Sequence, residues 1–77
     1  MSDPMHDLDV SVWVGKNGID AVASELSDQL ADRDVVKVKF LRAALATGDT
    51  DTLAADLADA AGGSVVETRG HTAVIER

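Results

Sequence analysis

The alternation of apolar and polar positions divides the chain into segments of two periods. Residues 10–14 read Val-Ser-Val-Trp-Val, a period-two pattern rich in β-branched and aromatic side chains, as expected of a half-buried strand. Gly15-Lys16-Asn17-Gly18 follows at once, two glycines bracketing two polar residues, and reads as a loop. From Ile19 the apolar positions fall at 19, 22, 23, 26 and 30, one stripe of a helix, with Asp20 as the expected N-cap. Val35 to Leu41 returns to period two, with Val36, Val38 and Phe40 on one face and Lys37 and Lys39 on the other. Residues 42–50 read as a connection with room for one Ala-rich helical turn. A second helix is expected from about Thr52 to Ala61, with Leu53, Leu57 and Ala60 or Ala61 facing inward, Asp51 or Thr50 as its cap and Gly62-Gly63 as its stop. Ser64 to Arg69 and Thr72 to Glu76 form two short strands around Gly70-His71, a hairpin whose turn needs a positive φ.

The order β-α-β-α-β-β implies an α/β two-layer fold, a mixed four-stranded sheet with the helices packed on one face. The closing hairpin could add beside either earlier strand, so the strand order stays open. At 77 residues the expectation is a short N-terminal segment, residues 1–9, and a single domain, residues 10–77. So small a body buries about 60% of its unfolded surface, which disfavours a deep, enclosed active site. Apolar residues make up 45% of the chain, but no run approaches the roughly 20 that a membrane helix needs. There is no cysteine, and no basic, apolar leader at the start, so the cytoplasm is the expected compartment.

Charge adds a second theme. Fourteen acidic residues oppose seven basic ones for a net −7. The acids are scattered from Asp3 to Glu76 rather than gathered into a tail. With so few lysines against so many aspartates, the composition suits a very salty cytoplasm, where a dense surface charge keeps the chain hydrated.

Catalytic chemistry is thinly supplied. The histidines are His6, near the terminus, and His71, in a turn, so no nucleophile has a base held beside it. Asp49-Thr50-Asp51 lacks the later ligands of a calcium loop and reads as helix capping. No enzyme, metal or cofactor is expected. The loop Gly15-Lys16-Asn17-Gly18 is more informative: it ends a strand and opens a helix, so backbone N–H groups and the positive helix end face one space that suits a phosphate. Glycines let a nucleic-acid backbone approach, as in the GXXG loop of KH modules, although two glycines also simply permit a tight turn. Lys16, Lys37, Lys39, Arg42 and Arg69 all fall on strands, their ends or this loop, which polarises the molecule. If Val10, Val12 and Val14 point to the helices, Trp13 shares the opposite face with Lys37 and Lys39, an arrangement suited to base stacking. Such lysines also serve as a solvated face, and a lone Trp is commonly core. An exposed Trp13 would need cover from the segment around Pro4, Met5 and Leu8, or from a base.

Three separated segments, Val12-Trp13-Val14-Gly15-Lys16-Asn17-Gly18-Ile19, Val36-Lys37-Val38-Lys39-Phe40 and Gly70-His71-Thr72-Ala73-Val74-Ile75, together resemble the YhbY-type, CRM-domain proteins over residues 10–77. The resemblance implies a fold similar to the C-terminal domain of translation initiation factor three. It also implies a non-enzymatic RNA-binding module associated with pre-ribosomal particles. The family's RNA-contacting loop corresponds to Gly15, Lys16, Asn17 and Gly18, and its basic strand surface to Lys37 and Lys39. Arg42 and Arg69 extend that surface. Two departures are visible: residues 2–9 are short and acidic, with three aspartates and no Lys or Arg, where relatives carry a longer basic helix, and the net charge is negative.

The expected partner is therefore RNA, ribosomal RNA or a pre-ribosomal particle, bound by a monomer with no membrane and no small-molecule substrate. A rival reading is a protein-interaction adaptor that docks a basic partner through the open sheet face or an edge strand. A weaker one is a small-molecule regulatory domain, which would need a dimer to build a pocket.

Overall fold

The computed structural model describes residues 9–77. The expectations that fall on His6 and on cover from Pro4, Met5 and Leu8 lie outside them. Strand β1 (Val10–Val14) leads through the glycine loop into helix α1 (Asp20–Asp32) and then strand β2 (Val35–Phe40). A single helical turn, α2 (Arg42–Leu45), precedes helix α3 (Thr50–Ala61), and strands β3 (Ser64–Arg69) and β4 (Thr72–Glu76) close the chain. The sheet order is β1-β2-β4-β3. β1 and β2 are parallel, as a β-α-β crossover requires, and β4 is antiparallel to both of its neighbours. The hairpin thus adds beside β2, and the question the sequence left open is settled by the pairing of Val36 with Ile75 and Val38 with Ala73.

One face of this sheet is the core. Val12, Val14, Val36, Val38, Phe40, Ala73 and Ile75 are buried with Leu26 and Leu30 of α1 and Leu53, Ala54, Leu57 and Ala58 of α3. The stripe on α1 is the one its spacing foretells. On α3 the inward positions are 53, 54, 57 and 58, with Ala61 half-buried and Ala60 exposed, because small alanines let the helix approach the sheet closely.

Three local expectations are corrected. Asp20 is the first helical residue of α1, not its cap; Ile19 occupies the N-cap with helical φ and ψ of −68° and −31° and makes no side-chain capping bond. Asp20 still stabilises the helix as a first-turn anion. Helix α3 starts at Thr50, and its cap is Asp49, which accepts a 2.8 Å bond from the Thr52 N–H; Thr50 and Asp51 are helical. Finally, Val10 does not share the helix-facing side with Val12 and Val14. A register shift lies between Val10 and Val12, and the Ser11 hydroxyl donates to Gln29 Oε1 of α1 at 2.7 Å while Gln29 Nε2 donates to the Ser11 carbonyl. The bulge turns Val10, the partner of Lys37, to the opposite face.

The two glycines after α3 act as expected. Gly62 takes φ 80° and its N–H, like that of Gly63, returns to the last turn of the helix. Gly70 takes φ 59° in the hairpin turn.

Candidate nucleic-acid interface

Strand directions decide where the candidate residues meet. β1, β2 and β3 all end, and β4 begins, at the same pole of the sheet. The glycine loop leaves the end of β1, Leu41 and Arg42 leave the end of β2, and Arg69-Gly70-His71 joins β3 to β4 there. Both long helices also start at this pole, since α1 follows the loop and Asp51 of α3 accepts from the Thr68 hydroxyl near the end of β3.

The loop itself is a tight turn closed by a 3.0 Å bond from the Gly18 N–H to the Gly15 carbonyl. Gly18 stands at φ 79°, a conformation only glycine adopts readily, whereas Gly15 is not in that region. Lys16 and Asn17, at the tip, are exposed. The neighbouring strand holds the loop's base: the Leu41 N–H donates to the Val14 carbonyl at 2.8 Å, and the Phe40 N–H donates to the His71 carbonyl at 2.7 Å. Backbone bonds therefore knit three chain crossings into one rim.

On the face away from the helices the register lines up a row across all four strands. Trp13 pairs with Lys39, Lys39 with Thr72, and Thr72 with Arg69. Lys39 and Arg69 are exposed, and Trp13 retains 52% of its surface between fully buried Val12 and Val14. Arg69 is engaged by Glu67 at 2.8 Å, an exposed pair of the kind that contributes little to stability. Lys37 sits one pair further in, half-buried, beside Val10 and Val74.

The structure thus brings Gly15, Lys16, Asn17, Gly18, Lys39, Arg42 and Arg69 to one pole and sets Lys37 back toward the middle of the sheet. The opposite pole holds Asp32, Arg33 and Asp34, with Arg77 bonded to Asp34 at 3.0 Å. Leu41 and Thr72 are the members of the pole that sequence reasoning did not single out. Thr72 could have been placed opposite Arg69 from the two-residue hairpin turn, but its place beside Lys39 follows only from the strand order. Among the described residues no group of acids and histidines could hold a metal ion, and no pocket opens.

Residues 1–77 match the family described as the CRS1 / YhbY (CRM) domain. The chain belongs to that family. A CRM-domain relative in Methanocaldococcus jannaschii, named "probable RNA-binding protein", is 40% identical over 72 residues, which cover 94% of this chain and 54% of the relative. This CRM domain therefore spans about half the length of the curated relative it matches. A solution structure from Staphylococcus aureus, of a hypothetical protein described as an RNA-binding candidate, superposes with a TM-score of 0.76 at 30% identity. The match covers 94% of this chain and 74% of that one, so the CRM-domain fold expected from the sequence is the fold observed. No described helix of this CRM domain is long and apolar enough to cross a membrane.

Proposed function

We propose that this CRM domain is a non-enzymatic binder of structured RNA, with ribosomal or pre-ribosomal RNA as its target, and that it grips the RNA at the pole where the glycine loop, Lys39, Arg42 and Arg69 converge. That convergence is the observation that carries the reading, because it joins the glycine loop, several cations and the uncapped start of α1 on one rim. Helix α1 has no side-chain cap, so the N–H groups of its start and of the loop, other than those of Gly18 and Val22, which donate to the Gly15 and Ile19 carbonyls, suit a phosphate, while Lys16 and Arg42 supply charge. Docking of a protein through an edge strand is the less favourable reading, since both β1 and β3, the sheet's edges, carry register shifts that disrupt further pairing.

The test is direct binding of ribosomal RNA fragments by the wild type and by a Lys16→Glu/Arg42→Glu variant, with folding followed by circular dichroism. Loss of binding in a folded variant supports the site. Equal affinity of the two proteins would place the RNA elsewhere, and crosslinking in cells with sequencing of the bound RNA reads the target.

A further inference from the structure

We propose that the open-face row led by Trp13 and Lys39 is a stacking platform for one unpaired nucleobase, so that this domain selects RNA that presents an unstacked base beside the glycine loop. The proposal rests on the RNA-binding reading above and specifies which form of RNA the site takes.

Four observations carry it. Trp13 holds 52% of its surface exposed although its neighbours Val12 and Val14 are fully buried. Alternation puts the ring on the face away from both helices, and an aromatic left half-exposed forgoes part of the burial it usually supplies. Next, Lys39 stands directly opposite Trp13 in the register, is exposed, and makes no ion pair among the described residues. With strands about 4.8 Å apart, its ammonium is within reach of a phosphate attached to a base lying on the ring. Third, Gly15 lies two residues beyond Trp13 and brings no side chain; a Cβ there would meet only Leu41 Cδ1, at 3.9 Å. The surface beyond the ring is therefore bare backbone leading straight into the turn. Last, no pocket opens among the described residues, so the ligand lies flat on a surface instead of entering a cavity.

A ring on an open sheet face, a cation at its side and a glycine ahead of it form a sequence-tolerant contact, since every base has a π-face. A base inside a duplex has both faces occupied by its neighbours, so the platform favours loops, bulges and single strands.

The experiment uses the full chain and three labelled RNAs: a single-stranded 12-mer, a hairpin with an unpaired loop, and a blunt duplex. Trp13→Ala should weaken binding of the first two by about 5- to 150-fold, the range expected for one stacked base, and leave the duplex unchanged. Trp13→Phe should restore most of the affinity. Because Trp13 is the sole tryptophan, its fluorescence should be quenched, saturably, by the single strand and the hairpin. A folded Trp13→Ala variant that binds single strands as tightly as the wild type, or emission that RNA leaves unmoved, would overturn the platform. If Lys16→Ala weakens binding in that same experiment, RNA binding at the loop stands without it. Equal quenching by the duplex would overturn the selectivity, and a wild type that binds none of the three RNAs would remove the RNA-binding reading itself.

Discussion

Gly15 and Gly18 bracket the same turn but differ in what they tolerate. At Gly18 the backbone stands at φ 79° with open space around it, so a side chain is strained by conformation alone. Gly18→Ala should cost about 1–2 kcal/mol in urea unfolding. At Gly15 an added methyl makes only ordinary contact with Leu41, so Gly15→Ala should leave the unfolding midpoint nearly unchanged and report on RNA approach alone. Gly63 is the severe case: a Cβ there would lie 2.5 Å from the Glu76 carbonyl oxygen, which belongs to a sheet strand and cannot step aside. Gly63→Ala should lie at the upper end of the roughly 1–3 kcal/mol typical of overpacking. Asp49 offers a pH signature. Its hydrogen bonds with Thr52, through the backbone N–H and the side chain, hold its carboxyl below the ordinary value of 3.8. A lowered folded value stabilises the fold above the unfolded pKa, and that contribution fades as pH falls through the folded one. Asp49→Ala should therefore be less stable than wild type at neutral pH, with the gap closing below about pH 4 in parallel acid titrations followed by circular dichroism.

At the scale of elements, the two long helices are held to the sheet by a few fully buried leucines. Leu26→Ala and Leu57→Ala should each cost about 2–5 kcal/mol in chemical denaturation, whereas exposed Ala60→Ser should be nearly silent. The periods of these elements were plain in the sequence because burial on one face imposes them: Val36, Val38 and Phe40 could not read otherwise. Their ends were less plain. Three consecutive residues, Asp49, Thr50 and Asp51, can all cap, and only the bond to Thr52 chooses among them. The bulge at Ser11 was hidden for a different reason, since it goes with hydrogen bonds to a partner 18 positions away, Gln29, and no local pattern records that pairing. The glycine loop and its cations were legible as residue types. Their meeting at one pole with Thr72 was not, because it depends on β4 lying beside β2.

Taken whole, the molecule has a net charge of −7 yet gathers Lys16, Lys39, Arg42 and Arg69 at one pole, interspersed with Asp20, Asp49 and Asp51, and salt should act on stability and on RNA affinity in opposite directions. Fourteen carboxylates on so small a body repel one another in dilute buffer, so the thermal midpoint should rise with potassium chloride. RNA affinity should fall over the same range. If Lys16, Lys39, Arg42 and Arg69 meet phosphates of a single strand, the slope of log affinity against log salt should be no steeper than about −3. A much steeper slope would require cations from outside this pole. The far pole matters for a different reason. β1 begins there and Arg77 is fastened there, its N–H bonded to the Asp34 carbonyl at 3.0 Å. Both strands that bound the domain in sequence thus point their outer ends away from the loop. A tag fused after Arg77 should therefore leave from the side opposite the glycine loop, which makes that end the safer anchor for immobilising the protein in a binding assay.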